Sequence, residues 1–272
     1  MKSGFPINST ARALLFCTAI IQSDGPRGRQ TGTCFFYEAS ETTEHNIPAL
    51  VTNRHIVEEC TGGTIRLVRA DDEGNPLLGQ EVTVKFSGED WTHHPSSRVD
   101  LSVAAAGPFL NALQAQGQAV CFRMVARAMA PSESQLETFD VFESITFVGY
   151  PNALHDRVNL TPIGRRGFTA TPIQLNYGGD PSFLIDASVF RGSSGSPVFS
   201  LSDGVYREGN TVITGDRVLF LGVVARAHLV KGASELAPEL GYEQMLDLGV
   251  VFNWISVEEA VRHKFRELDI SS

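Results

Sequence analysis

Asp186-Ala187-Ser188-Val189-Phe190-Arg191-Gly192-Ser193-Ser194-Gly195-Ser196-Pro197 is the stretch on which the reading of this chain turns. Two glycines bracket a pair of serines, and a proline closes the run. Gly192 and Gly195 permit a tight loop in backbone conformations that side chains disfavour. A loop of that kind aims the backbone N–H groups of Gly192 and Ser194 into one small space. Pro197 has no N–H to give and suits the first position of a strand. Alone, the run has a plain explanation as a polar loop, so its meaning depends on its surroundings.

On both sides of it, short apolar runs recur between turn residues, which is the pattern of an all-β protein. In the first half they predict strands over residues 13–21, 33–37, 49–52, 64–68, 81–86 and 101–104. Asp72-Glu73-Gly74-Asn75-Pro76 is a turn between two of them. In the second half the predicted strands cover residues 144–149, 167–171, 182–186, 197–200, 218–227 and 249–252. The piece from Gly107 to Thr138 is less strand-like and reads as a connection with a short helix. Ser256-Val257-Glu258-Glu259 is a capping-box pattern with Ser256 as N-cap. It opens a helix to about Leu268, on which Val257, Ala260, Val261 and Phe265 share a face. The expected architecture is two six-stranded antiparallel β-barrels packed together with a C-terminal helix, because barrels remove exposed sheet edges. The first barrel is expected within residues 1–120 and the second within residues 121–272.

Composition narrows the function classes. The 272 residues are enough for one large domain or two small ones, and 42% hydrophobic with 19% charged content is ordinary for a folded protein. A formal charge of −9 disfavours nucleic acid and anionic membrane as partners, since both reward a basic surface. There is no run of about 18 apolar residues, so no membrane span is expected. Lys2 followed by the apolar residues 13–21 faintly resembles a secretory leader. Arg12 adjoins that run, however, and Gln22-Ser23-Asp24 offers no cleavage site. It reads better as a first strand, with a cytoplasmic location expected. Cys17, Cys34, Cys60 and Cys121 form no C-x-x-C pair and no cluster with histidine, so they read as free thiols packed like small apolar side chains. Neither a metal nor another cofactor is expected. His93-His94 reads as a surface turn, and the sequons Asn8-Ser9-Thr10 and Asn159-Leu160-Thr161 as chance.

Two further segments give the serine loop its meaning. Leu50-Val51-Thr52-Asn53-Arg54-His55-Ile56-Val57 is a strand that delivers a histidine as it ends. Val99-Asp100-Leu101-Ser102-Val103 places an aspartate at the mouth of another strand. A histidine after a strand is ordinarily a packed or solvated side chain, and an aspartate before one is ordinarily a turn residue. Together with Ser194 they supply what serine nucleophiles need: a base to take the hydroxyl proton and a group to fix that base's tautomer. An α/β-hydrolase would use Gly-x-Ser-x-Gly and the chain order Ser, Asp, His. Ser196 breaks that pattern, and His55 precedes Ser194.

These segments resemble the trypsin-like peptidases of the chymotrypsin superfamily, particularly the bacterial branch that includes the Deg/HtrA and glutamyl-endopeptidase groups. Thr31-Gly32-Thr33-Cys34-Phe35-Phe36 is similar to that branch's Gly-x-Gly-Phe strand, and Thr52-Asn53-Arg54-His55 to its histidine segment. Asp100-Leu101-Ser102-Val103 is similar to its Asp-Leu-Ala-Val segment. Phe147-Val148-Gly149-Tyr150-Pro151 and Leu221-Gly222-Val223-Val224 also have counterparts there. The resemblance runs over about residues 12–265. It implies a serine endopeptidase acting on protein or peptide substrates, with Ser194 as nucleophile, His55 as base and Asp100 as its orienting partner. Gly192 and Ser194 are then the oxyanion-hole donors. The primary pocket is implied to lie against Ser188 and Ala225-Arg226-Ala227. Ser188 is uncharged, Val224 stands where glutamyl endopeptidases carry a histidine, and Ala227 stands where glycine is frequent. Arg226 or His228 could still reach an acidic substrate, but an outward-pointing arginine is the ordinary reading, and a small or medium apolar side chain is the expected substrate residue there.

Departures from the family pattern bear on control. Ser193 stands where digestive members carry the aspartate that pairs with a newly cut N-terminus, so that activation route is not expected. Cys34 and Cys60 are not at the usual disulfide positions, and no PDZ-like segment is expected after Phe265. A free cytosolic protease is hazardous, so control by a regulatory protein partner or by an unformed oxyanion loop is expected. The competing reading is a catalytically silent or partner-activated protease-fold binding module. A silent module would predict damage to the triad or its loop, and none is visible.

Overall fold

A computed structural model describes residues 5–39, 47–209, 211–233 and 241–267. The first half runs α1 (Thr10–Leu14), β1 (Thr18–Asp24), β2 (Gln30–Glu38), β3 (Pro48–Thr52), α2 (Arg54–Val57), β4 (Gly62–Ala70), β5 (Pro76–Ser87), β6 (Thr92–His93) and β7 (Ser102–Ala105). Helices α3 (Gly107–Ala115) and α4 (Glu133–Thr138) connect it to β8 (Ser144–Gly149), β9 (Ile163–Thr169), β10 (Ser182–Asp186) and β11 (Pro197–Ser202). Then come β12 (Val205–Glu208), β13 (Thr211–Thr214), β14 (Arg217–Ala233), β15 (Gly241–Asn253) and α5 (Trp254–Glu267).

The strands form where side chains alternate between core and solvent. On β5, Val82, Val84 and Phe86 are buried while Glu81, Thr83 and Lys85 face out, the period-two pattern of a half-buried strand. The preceding turn is fixed by Asp71, whose Oδ1 accepts from the N–H groups of Glu73 (3.0 Å) and Asn75 (2.8 Å), and by Gly74 at φ +78°. The second half closes into the expected six-stranded barrel, in the order β10-β15-β14-β11-β8-β9. The first half differs from expectation: its sheet has seven strands in the order β5-β4-β1-β2-β3-β7-β6 and does not close. The extra strand, β6, has only two residues, too few for a periodic signal.

Strand β2 joins the two halves. Cys34 and Phe36 face a core inside the first sheet, with Ile21, Leu50 and Ile65. Their neighbours Phe35 and Tyr37 face the other way, into a core continuous with the closed barrel. Phe220 sits 5.7 Å from the Phe35 ring and 5.8 Å from both the Tyr37 and Phe199 rings. Each such fully buried phenylalanine contributes about 2–3 kcal/mol, so the halves are held by a shared apolar layer. Helix α5 adds Val257, Ala260, Val261 and Phe265 to it, all buried.

Several local expectations are corrected. Residues 13–21 are not one strand: α1 occupies Thr10–Leu14, with the Ser9 Oγ accepting from the Arg12 N–H at 3.3 Å, and β1 starts at Thr18. Apolar residues fit either element, and the Ser9 cap decides. The connection holds two helices rather than one. Helix α5 is capped by Asn253, whose Oδ1 accepts from the Ser256 N–H and hydroxyl at 3.1 Å each, so Ser256 lies in the first turn. His93 and His94 are not a surface turn. His93 is half-buried on β6 and His94 is buried, its Nδ1 accepting from the Ser96 N–H and its Nε2 lying 3.3 Å from Glu259. All four cysteines are free thiols; Cys17, Cys34 and Cys121 are buried, and desolvation pushes their thiols up. Among the described residues no helix is long and apolar enough to cross a membrane. Lys2 and Leu268 lie outside the described residues.

Candidate active site

Strand β3 ends at Thr52, and the single turn α2 then carries His55. This turn is fastened to Asp100 through the backbone first. The buried Asn53 donates from Nδ2 to the Asp100 carbonyl at 2.7 Å, and the Arg54 N–H donates to the same oxygen at 3.3 Å. The Asp100 carboxylate then takes both polar groups of one residue. Its Oδ1 accepts from the His55 N–H at 2.9 Å, and its Oδ2 lies 2.6 Å from His55 Nδ1. An ionised carboxylate only accepts, so Nδ1 is the donor in this pair, which in the neutral imidazole leaves the lone pair on Nε2. Behind the turn, burial and then the Arg54 charge hold His93 below the usual imidazole range, and its Nδ1 lies 2.7 Å from Ser102 Oγ.

The Ser194 loop is built from the barrel side. Gly192 and Gly195 lie at φ +85° and +87°, where a side chain is strained. A Cβ on Gly195 would also run into the Thr33 carbonyl, and one on Gly192 into the Tyr150 carbonyl. The Gly195 N–H donates to the Val224 carbonyl at 2.8 Å, and the Ser193 N–H to the Phe190 carbonyl at 3.0 Å. Ser193 is buried, and its hydroxyl has no partner among the described residues.

Thr33 on β2 is the node between the halves. Its N–H donates to the Ser194 carbonyl at 2.9 Å, and its hydroxyl donates to the Gly192 carbonyl at 2.9 Å. The same hydroxyl accepts from the Tyr150 N–H at 3.1 Å, while the Thr33 carbonyl accepts from the Thr52 hydroxyl at 2.7 Å. Thus the strand leading to His55 and the loop holding Ser194 share one residue.

One further contact sets the direction of the Arg191–Gly192 peptide. The Asn152 N–H donates to the Arg191 carbonyl at 2.5 Å. In a trans peptide the N–H points opposite to the C=O, so the Gly192 N–H faces away from Asn152. Among the described residues the N–H groups of Gly192 and Ser194 donate to no protein acceptor, which leaves both available to an outside oxygen. Asn152 and Ala153 stand at φ +50° and +58°, a region that costs a non-glycine residue about 1–2 kcal/mol. Strain of this kind gathers at functional sites.

Two open clefts flank His55. One of about 630 Å³ is lined by His55, Gly192, Ser194, Arg191, Asn152 and Arg29, among others. The other, about 650 Å³, is lined by His55, Asp100, Arg54, Glu58, Arg98 and Arg226, among others. Ser194 and His55 thus line one cleft and Asp100 holds His55 from the other, while the Ser194 hydroxyl donates to the Ala225 carbonyl at 2.9 Å. Of the pocket residues, Arg226 is exposed in the second cleft, Ala225 is fully buried, and Ser188 and Ala227 are half-buried and line neither cleft. Thr33, Asn53 and Asn152 carried no assigned role in the sequence reading. Two of them lay inside segments that had already been singled out, Thr33 in the strand before the histidine and Asn53 beside it. No group of histidine, cysteine and carboxylate side chains able to hold a metal occurs among the described residues.

Residues 32–206 match the family model of the trypsin-like peptidase domain. No curated protein matches the sequence. Among solved structures the chain is similar to the HtrA-type protease AlgW with tripeptide, at 14% identity and a TM-score of 0.50, covering 96% of this chain and 65% of that one. It is also similar to a serine endoprotease from Yersinia pestis, at 11% identity and a TM-score of 0.51, covering 98% of this chain and 69% of that one. A thermostable serine protease, AL20, from an extremophilic microorganism gives 10% identity and a TM-score of 0.50, covering 93% and 98%. The chain thus spans about 65% of the length of the AlgW structure. At these identities the likeness is one of fold.

Proposed function

This chain belongs to the trypsin-like peptidase family, and from that premise we propose that it is a serine endopeptidase that works through an acyl-enzyme. One observation carries the reading. The Asp100 carboxylate holds both the N–H and the Nδ1 of His55, and His55 also lines the cleft that presents Ser194 and two unengaged backbone N–H groups.

In this mechanism Ser194 first rotates about its Cα–Cβ bond, exchanging the Ala225 carbonyl for His55 Nε2 as acceptor. Oγ attacks the peptide carbonyl while His55 takes its proton. The electron pair moves to the carbonyl oxygen, where the N–H groups of Gly192 and Ser194 receive the charge. His55 returns the proton to the departing amine as the C–N bond breaks, leaving acyl-Ser194. Water then repeats the two steps, releasing the acid and restoring the serine. Asp100 keeps the imidazole in the required tautomer throughout. The acyl side of the peptide is proposed to pass Arg226, the member of Ala225-Arg226-Ala227 that lines a cleft. The pocket for its last side chain, against the half-buried Ser188, is what the family resemblance implies. The uncharged Ser188 favours a small or medium apolar residue there.

The hydrogen bond from Ser194 to Ala225 favours a second reading, a partner-activated module whose serine is parked until a protein partner engages. Digestion of an unfolded protein substrate, with the products identified by mass spectrometry, tests the first reading. New internal termini are expected with the wild-type chain and none with Ser194→Ala. Intact substrate, or cleavage confined to its ends, contradicts an endopeptidase.

A further inference from the structure

The chain carries a formal charge of −9, yet arginine dominates the charged side chains beside its proposed active site. Around the Arg226 cleft most charges are already matched. Glu58 pairs with Arg54 at 2.9 Å, Asp100 with His55 at 2.6 Å, and Arg98 with Asp180 at 2.6 Å. Around the other cleft Arg29 pairs with Asp24 at 2.9 Å. Arg226 and Arg191 are left over. Both are exposed, both line a cleft that His55 also lines, and neither has a carboxylate partner among the described residues. They stand in different clefts that share His55, Arg191 in the one that Ser194 also lines. An acidic protein repels acidic peptides at long range, so an unmatched cation in each flanking cleft reverses the local sign where a substrate chain would lie.

We infer that the cleft takes peptides carrying a carboxylate side chain on each side of the scissile bond. The inference rests on the endopeptidase reading for its orientation: Arg226, on the wall proposed for the acyl side, meets the residue there, and Arg191 meets one on the leaving-group side. The planar guanidinium presents paired N–H donors that match a carboxylate. Selection of this kind works through charge, and it weakens as salt screens the pair. It is separate from the pocket at Ser188, which reads the residue whose carbonyl is attacked.

The test uses binding, so that it does not depend on turnover. In the Ser194→Ala chain, fluorescence anisotropy measures the affinity of fluorescein-labelled peptides with Glu on both sides, on one side, or replaced by Gln. The doubly acidic peptide is expected to bind about 25-fold more tightly than its Gln counterpart at low salt, with about fivefold from each position. The ratio should shrink toward one at high salt. Adding Arg226→Gln should remove only the acyl-side advantage, and Arg191→Gln only the other. Both arginines are exposed, and far-UV circular dichroism confirms that the variants are folded. Equal affinity for the Glu and Gln peptides, no measurable binding of the Glu peptide, or a preference that survives both substitutions would overturn the inference. Failure of the endopeptidase reading shows elsewhere, as absence of cleavage by the chain that retains Ser194, and leaves the affinity ratio unchanged.

Discussion

The two halves of the molecule treat their functional groups differently. The open first sheet holds His55 and Asp100 in a finished arrangement: two hydrogen bonds join backbone to backbone or side chain to backbone, and two more engage the carboxylate. The closed second barrel holds Ser194 on a loop of positive-φ glycines, against two strained residues, with its hydroxyl on the Ala225 carbonyl. On the proposed mechanism the base is assembled by folding, whereas the nucleophile needs one more rotation. Control is therefore easier to apply at the serine loop than at the histidine turn. Ser193 lies in the same loop, buried and with no partner for its hydroxyl among the described residues.

Substitutions that separate the halves should follow that division. The largest effect is expected from Ser194→Ala, with peptide turnover falling about 10⁶-fold and thermal stability unchanged; a loss under tenfold would remove Ser194 as the nucleophile. Asp100→Asn should cost about 10⁴-fold in kcat, because the amide favours the wrong histidine tautomer, and kinetics with a fluorogenic peptide would detect it. Gly192→Ala comes next. Its Cβ meets the Tyr150 carbonyl, displacing an oxyanion donor worth about 10²–10³-fold. In this variant the NMR resonance of the His55 Nδ1 proton should stay where it is, and movement of that resonance would mean that the two halves are not independent. Thr33→Val should have the smallest effect. It leaves the Tyr150 N–H and Gly192 carbonyl without their shared hydroxyl, costing about 1–3 kcal/mol. Calorimetry should show a lower Tm, and an unchanged Tm would refute the node at Thr33.

The chemistry was more legible in the sequence than the joints that position it. His55, Asp100 and Ser194 each sit in a short motif beside the end or the start of a strand, so residue type and order expose them. Gly192 and Gly195 likewise announce the conformations they adopt. Thr33 does not, because its hydroxyl meets Gly192 across 159 residues of chain, and no local pattern marks such a bond. Asn152 is hidden for another reason, since its left-handed backbone is imposed by the loop around it. The apolar residues 13–21 read as one strand because their apolar character suits helix and strand alike, and the Ser9 cap places α1 at their start. Whether an arginine is matched depends on neighbours in space, so Arg226 and Arg191 could be told apart from Arg54 and Arg98 only in the folded chain.

Covalent labelling with a fluorophosphonate tests the central claim most directly, because the reagent needs a serine activated by a base and an oxyanion hole. Intact mass and peptide mapping should find one adduct on Ser194 in the wild-type chain and none in Ser194→Ala. A folded wild-type chain that stays unlabelled, or an adduct that persists after Ser194→Ala, would contradict the account.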